Sequence, residues 1–499
     1  MTDLPPGPPP TDRGSVTYLV LLCLVAALGG LLFGYDTAVI SGAIGPLDTH
    51  FDLPSVTEEV VAYLANLLER IGLGGMKSVL AGLMKGWVAA CALLGCAAGA
   101  ALAGTLSDRF GRRNTLIVSA ILFLISAIGT AVPETLTQFV IFRIVGGLGV
   151  GAASMTSPMY IAEISPARIR GRMVSVNQLA IVSGILVVYF VNYFIAGQGD
   201  EAWNVETGWR WMFGSEAIPA TLLLLLLFFV PESPRWLTER GRGDTAHRIL
   251  ARIDGRASAD RAMAEIREAL AMETGSLRQL FAPGLRLVLV IGVVLAVLQQ
   301  VTGINVFLYF GTEIFKDVAG SDTAGALLQQ AVVGAVNLTF TIVAIWTVDK
   351  LGRKPLMIVG AAGMGISLTA MGLAAYYSDE PGAWLLVFIL GYIACFAVSV
   401  GPVTWVILSE IFPTKIRGRA MAIATVCLWL ANFVISQTFP MMDQHEWLVA
   451  RFHHGFPFWV YAGFCAVLVA FMAIAVPETK GRTLEEIEKH WLAGTAKQQ

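Results

Sequence analysis

The chain has 499 residues, of which 56% are hydrophobic and 14% charged, with a formal net charge of -2. Soluble domains carry about 25% charged residues, so this composition leaves too little polar surface to coat a water-soluble globule. The near-zero net charge offers no case for nucleic acid or for a strongly acidic partner. Six cysteines lie inside apolar stretches without metal-ligand spacing, which predicts packing residues rather than a disulfide framework or a metal site.

In chain order, residues 1–17 read as a Pro-rich, disordered cytoplasmic tail followed by an apolar run too long for a cleaved signal. Crossing the hydrocarbon core takes roughly 20 apolar residues. Segments of that kind recur near 18–44, 86–106, 114–132, 136–160, 173–196 and 209–231. A second set follows near 285–315, 324–347, 354–377, 382–409, 418–438 and 456–476. The reading is an all-α membrane protein of twelve transmembrane helices: an N-terminal half over 18–231 and a C-terminal half over 285–477. Between the first two spans, residues 52–85 form an extended outer segment. Its Val60, Val61, Leu64, Leu67, Leu68 and Ile71 fall at the spacing of an amphipathic helix over the outer mouth. Residues 232–284 are rich in Arg and Glu, with helical periodicity from Ala246 to Ala271, and predict short cytoplasmic helices. Residues 478–499 form a second cytoplasmic tail with a short helix over Leu484 to Trp491.

Orientation follows from the short loops. Arg109, Arg112 and Arg113 follow span two, and Arg168, Arg170 and Arg172 follow span four. Lys350, Arg353 and Lys354 follow span eight, and Lys415, Arg417 and Arg419 follow span ten. The intervening loops at Glu134 and at Asp379–Glu380 hold no Lys or Arg, so the basic loops and both termini are predicted to be cytoplasmic.

The halves repeat. Asp108-Arg-Phe-Gly-Arg-Arg113 recurs as Asp349-Lys-Leu-Gly-Arg-Lys354, 241 residues on. Glu163-Ile-Ser-Pro-Ala-Arg-Ile-Arg-Gly-Arg172 recurs as Glu410-Ile-Phe-Pro-Thr-Lys-Ile-Arg-Gly-Arg419 with seven of ten positions identical. Pro231-Glu-Ser233 recurs as Pro477-Glu-Thr479. A parallel repeat in register is the plan of transporters that rock two halves about a central site.

These motifs carry a resemblance. The Asp108–Arg113 loop and its repeat resemble the signature of the major facilitator superfamily. Pro231-Glu-Ser-Pro-Arg235 and Pro477-Glu-Thr-Lys-Gly481 resemble the marks of its sugar porter family, as do Gly34-Tyr-Asp-Thr-Ala-Val-Ile-Ser-Gly42 and Gln299-Gln-Val-Thr-Gly-Ile-Asn305. The similarity spans residues 17–490 and is greatest to the xylose:proton symporter branch, with animal glucose carriers more distant. It implies the major facilitator fold and proton-coupled monosaccharide transport by alternating access.

A sugar offers hydroxyls that donate and accept together, and apolar C–H faces. Gln, Asn and aromatic faces complement it, and polar side chains inside spans face the bundle interior or a cavity. Gln178, Gln299, Gln300, Asn305 and Asn337 are such residues. For any one alone, an interhelical hydrogen bond is the stronger explanation. The adjacent Gln299 and Gln300 point about 100° apart, and Thr302-Gly303 loosens the helix beyond them, as happens where a broken helix lines a cavity. The resemblance implies that Gln178, Gln299, Gln300, Asn305, Tyr309, Asn337, Gly401 and Trp405 line the sugar pocket, with Phe33 and Trp429 as apolar walls and Gly401-Pro402 as a mobile gate. Two positions depart from the xylose branch, which carries Gln where this chain has Ile185 and Leu428. Leu428 in particular predicts a drier pocket.

Asp36 and Arg143 are charges inside spans, costing about 2.5–3.5 kcal/mol each at a helix centre. Span one runs outward and span four inward, so at about 1.5 Å per residue both fall in the outer half and can pair. A static salt bridge is the plain alternative; the resemblance favours proton coupling, because uniporter relatives carry a neutral residue at Asp36. The resemblance further implies a cytoplasmic gate of Glu163, Arg172, Glu410 and Arg419 with Arg112 and Arg353 that latches the outward-facing state, and an inner-network place for Glu216. All six histidines are expected in loops or tails.

The partners implied are a sugar, protons and the lipid bilayer of the cell membrane, with no cofactor, metal or nucleic acid and a working unit of one chain. An intramembrane enzyme is disfavoured by the lack of GxSxG, HExxH or an intramembrane His or Cys cluster. A sensor is disfavoured by the short tails, and a drug antiporter by a fifth span without Gly-Pro enrichment. A sugar facilitator and a proton-coupled polyol or inositol symporter remain the nearest alternatives.

Overall fold

The computed structural model describes residues 14–70, 80, 82–272, 285–317, 321–377, 383–412 and 417–480. Twelve helices among them are long and apolar enough to cross a membrane. They are Val16–His50, Leu83–Phe110, Arg112–Ala131, Leu136–Ile164, Arg170–Ala196, Glu201–Leu227, Leu285–Tyr309, Thr323–Val348, Arg353–Tyr377, Leu385–Ile411, Gly418–Asp443 and Phe456–Ala475, here spans one to twelve. In lipid a helix is the segment that satisfies its own backbone N–H and C=O groups. Several helices outrun their apolar stretch: span one continues to His50, span four to Ile164 and span eleven to Asp443. A helix ends where its last carbonyls find other partners, and hydropathy does not mark that point.

Two spans are interrupted where expected. Span seven stops at Val301 and restarts at Ile304, with Gly303 at φ 93° between them. A Cβ there would lie 2.8 Å from the Tyr461 ring, so glycine is required by both conformation and space. Thr302 Oγ1 donates to the Gln299 carbonyl (2.9 Å) and Tyr392 Oη to the Thr302 carbonyl (3.0 Å), which satisfies the broken turn. In span ten a widened turn over Phe396–Val400 precedes Gly401, so the distortion begins five residues before the Gly-Pro pair.

Small residues set the packing. Span two packs on span four, where a Cβ on Gly147 would stand 1.9 Å from the Ala92 carbonyl oxygen and one on Gly95 2.2 Å from that of Ile144. Gly95 and Gly99 face Gly147 and Gly151, the small-xxx-small spacing that lets membrane helices approach backbone to backbone. Across the halves, span two packs on span eleven and span five on span eight. The sequence repeat interchanges these two contacts, giving the pseudo-two-fold arrangement.

The linker forms three helices, Pro234–Glu239, Gly243–Asp254 and Arg256–Met272, around a small core of Leu237, Ala246, Leu250, Ala251, Ala259 and Met263. It rests on the N-terminal half: Arg168 pairs with Asp254 (2.5 Å), Ser15 N donates to the Arg252 carbonyl (3.0 Å), and the Arg252 guanidinium sits 4.0 Å over the Tyr18 ring. The outer segment carries a helix over Leu53–Arg70, with Val60, Val61 and Leu64 half-buried and Tyr63 80% exposed. Ile71, residues 1–13 and the helix expected over Leu484 to Trp491 lie outside the described residues.

Candidate functional site

Along the first span a run of buried residues surrounds one carboxylate. Arg143 Nη1 donates to Asp36 Oδ1 at 2.7 Å and to the Asp36 carbonyl at 3.3 Å, with side chains 2% and 0% exposed. The guanidinium lies 5.3 Å from the Phe213 ring centroid. Gly146 makes the room: a Cβ there would sit 3.4 Å from Asp36 Oδ1 and 2.3 Å from Ser126 Oγ. Asp36 Oδ2, Arg143 Nε, Ser126 Oγ and both carboxyl oxygens of Glu216 are buried without a hydrogen-bond partner. Glu216, 1% exposed on span six, feels the charge of both Asp36 and Arg143. One cation therefore faces two acids in a buried pocket, and the charge count closes when one acid holds a proton.

Deeper toward the basic face lies a polar strip on the broken seventh span. Gln299 Nε2 donates to the carbonyls of Val400 (3.3 Å) and Gly401 (3.0 Å), which fastens span seven to span ten. Asn305 Nδ2 donates to Gln300 Oε1 at 2.5 Å, and Gln300 Nε2 approaches Gln299 Oε1 at 3.5 Å. Phe33 of the N-terminal half stacks on Trp429 of the C-terminal half with centroids 5.3 Å apart, and the Trp429 Nε1 donor is buried and unpartnered. Tyr309 Oη accepts from Asn432 Nδ2 at 3.2 Å. The structure thus joins Gln299, Gln300, Asn305 and Gly401 by hydrogen bonds, Tyr309 to Asn432, and Phe33 to Trp429. Gln178, Asn337 and Trp405 are half-buried or buried on spans five, eight and ten and hydrogen-bond to no described residue. Ile185 and Leu428 are 5% and 3% exposed apolar walls.

Asn432 is absent from the sequence-derived set. It stands one turn beyond Leu428 and is 2% exposed, so a polar side chain four residues past an apolar wall position was the available signal. Tyr189, whose Oη donates to the Leu308 carbonyl at 2.9 Å across the halves, left no such mark. His50, expected in a loop, is the last residue of the first helix.

On the basic face the repeated motifs make matched clusters. Arg112 donates through Nε and Nη2 to Glu163 Oε1 (3.2 and 3.0 Å), and Ser233 Oγ donates to Glu163 Oε2 (2.5 Å). In the other half Arg353 Nη2 donates to Glu410 Oε1 (3.0 Å) and Thr479 Oγ1 to Glu410 Oε2 (2.5 Å). The glutamates of the two Pro-Glu-Ser/Thr motifs cap helix N-termini. Glu232 Oε1 accepts from the backbone N–H of Arg112 and Arg113 (2.9 and 3.1 Å), and Glu478 from those of Arg353 and Lys354 (both 3.1 Å). Anions belong at the positive end of a helix dipole. Burial raises the Glu232 carboxyl above its ordinary range, outweighing its backbone donors. Burial also pushes Glu478 up, but the N–H groups of Lys480, Arg353, Lys354 and Thr479 together carry it below that range. Arg172 and Arg419 are exposed, and Glu163 and Glu410 are each held by the arginine of their own half.

Between described residues, the hydrogen bonds, ion pairs and ring contacts that join the halves lie from Phe33 toward the face opposite these clusters. They include Ser41–Thr312 (3.0 Å), Tyr189–Leu308, Lys85–Glu313 (2.8 Å) and Gln437 Nε2 to the Leu83 carbonyl (2.8 Å). The structure is closed on that face.

Two pseudo-symmetric six-helix halves, shut on one side of a polar interior, define a transporter of the rocking type in the major facilitator fold. Residues 22–491 match the family described as sugar (and other) transporters, and the chain belongs to it. The D-xylose-proton symporter of Escherichia coli strain K12 is 50% identical over 503 residues, covering 97% of this chain and 98% of the relative. The arabinose-proton symporter of Bacillus subtilis is 42% identical over 492 residues, covering 98% and 99%. Among solved structures, the inward open conformation of the E. coli xylose transporter superposes with a TM-score of 0.79 at 46% identity, covering 95% of this chain and all of that one.

Proposed function

We propose that this chain is a proton-coupled monosaccharide symporter working by alternating access in the cell membrane, with both termini cytoplasmic and one chain as the working unit. The observation that carries the reading is the buried Asp36–Arg143 pair with a second buried acid, Glu216, beside it. A static salt bridge needs one carboxylate for its one guanidinium, and a second buried acid beside it adds a charge that the pair does not compensate.

Ionised Asp36 holds Arg143 in place. Protonation of Asp36 weakens that bond, and the guanidinium turns toward Glu216, which keeps the buried charge compensated. The halves then rock about a sugar held by Gln178, Gln299, Gln300, Asn305, Asn337 and Trp405 against Phe33 and Trp429, with Tyr309 and Gly401 completing the pocket. In the opposite state, Arg172 and Arg419 join Glu410 and Glu163 across the halves and shut the basic face.

The relatives' names, xylose and arabinose, support a pentose or hexose as substrate. The test is uptake of labelled xylose, arabinose, glucose, galactose and inositol into proteoliposomes, with and without an inward proton gradient. Gradient-driven accumulation of at least one sugar is the expected result. Failure of all four monosaccharides, with inositol accumulated, overturns the substrate class.

A further inference from the structure

Lys85 opens the second span two residues after Leu83, where a long apolar helix carries a cation into the packed outer rim. Its Nζ lies 3.1 Å from Asp48 Oδ2 at the end of span one and 2.8 Å from Glu313 Oε2 just past span seven. The three side chains are 12%, 25% and 15% exposed, so water screens them only in part. Asp48 belongs to the N-terminal half with Lys85, and Glu313 to the other. Of the ion pairs formed between described residues, Lys85–Glu313 is the one that joins the halves.

The surroundings mark this as a moving contact rather than scaffold. Gly82 and Gly86 flank Lys85 and bring the span-two backbone against span eleven: a Cβ on either would meet the Pro440 or Gln437 carbonyl oxygen at 2.6 or 2.5 Å. That approach closes this rim in the structure. Lys85 and Glu313 also line a cavity of about 650 Å³ together with Phe310, Phe439, Asp443 and His454, on the rim where the halves meet. Asp48 gives Lys85 a partner that stays with it when the halves separate, so its charge is never left bare in a partly buried place.

The geometry points to Lys85 as the positioning residue of the outer gate: its bond to Glu313 clasps the two halves in the outward-closed state, and its bond to Asp48 holds the side chain ready to close again. This rests on alternating access but requires neither the sugar nor the proton assignment.

The test is hydrogen–deuterium exchange of the full-length protein in nanodiscs, without substrate. Lys85→Met and Glu313→Gln are each expected to raise exchange over residues 36–50, 304–317 and 430–443 and to lower it over 163–172. The expected shift is about tenfold in the ratio of the two states, or about 1.4 kcal/mol. Lys85→Glu is expected to shift further, and Lys85→Glu with Glu313→Lys to move back toward the wild-type pattern, short of it because the introduced carboxylate then faces Asp48. Exchange unchanged in both neutral variants overturns the proposal. So does exchange that rises on both faces together, since that is loss of packing rather than gating. A variant that does not fold leaves the decision to its partner at the other end of the bond and to the swapped pair. Loss of transport with a wild-type exchange pattern would count against the clasp and leave the transport reading standing.

Discussion

Arg143 donates to Asp36 at 2.7 Å in a pocket where neither side chain is more than 2% exposed. Residues 107 apart in sequence meet because spans one and four run in opposite directions past the same depth. Removing the Arg143 charge alone strands Asp36 in a medium that cannot solvate it. Arg143→Gln is expected to destabilise by about 3–5 kcal/mol, whereas Arg143→Gln with Asp36→Asn, which removes both charges, is expected to cost less. Thermal unfolding in detergent, comparing the single and double variants, checks the ordering. A double variant as unstable as the sum of the singles would contradict it.

The Gly147 contact gives a sharp packing prediction. A methyl at Gly147 collides with a backbone oxygen at 1.9 Å, while one at Gly104 meets nothing within 4 Å. Gly147→Ala is expected to cost about 1–3 kcal/mol through a forced shift of spans two and four. Gly104→Ala is expected to be neutral within about 0.5 kcal/mol. Melting temperature and folded yield measure both.

Glu232 and Glu478 occupy matched places in the repeat and respond to acid in opposite senses. Glu478 is held below its ordinary range, so its contribution is present above the unfolded value and is lost as pH falls through the folded value. Glu232 is held above its range, so its linkage contribution is present below the unfolded value and is lost as pH rises through the folded one. Glu478→Gln is therefore expected to weaken the acid sensitivity of unfolding between about pH 3 and 5, where ordinary carboxyls titrate. Glu232→Gln is expected to improve stability at neutral pH relative to acid. Both substitutions weaken a helix cap, at about 0.5–2 kcal/mol. Melting curves across pH 3 to 7 test the opposite signs.

Leu428 presents an apolar wall, 3% exposed, one turn from Asn432. Leu428→Gln is expected to lower the KM for a sugar with a hydroxyl on that side by roughly two- to tenfold, the worth of one net hydrogen bond of about 0.5–1.5 kcal/mol. Competition of unlabelled sugars against a transported one shows which. An unchanged order of preference would mean that this wall does not face the substrate.

How much of this was legible beforehand divides along a physical line. The twelve spans and the repeat rest on composition and local pattern, which a helix in lipid obeys almost without exception. The break at Gly303 was legible too, because Gln299, Gln300 and Asn305 cannot share one face of an intact helix. The Asp36–Arg143 pairing could be read from depth alone, since each charge is alone in its span. The cap made by Glu232 was not, because a Pro-Glu-Ser motif does not say which helix end, some 120 residues earlier, its carboxylate will meet. Lys85 and Glu313, 228 residues apart, sit at helix ends on a rim where many charges are expected, and only the three-dimensional fold singles them out. Arg172 and Arg419 show a third limit: a motif does not say in which conformation its residues meet, and here both are exposed.

The central claim is that sugar and proton cross together through Asp36. It is tested most directly by loading proteoliposomes with a pH-sensitive dye, holding the pH equal on both sides, and adding the transported sugar outside. The account predicts that inward sugar flux acidifies the lumen. It also predicts that Asp36→Asn abolishes the acidification and gradient-driven accumulation, while sugar still exchanges for sugar at equilibrium. Sugar entry with no change in lumen pH in the wild-type protein would contradict the account and make the chain a facilitator, with Asp36–Arg143 a structural pair.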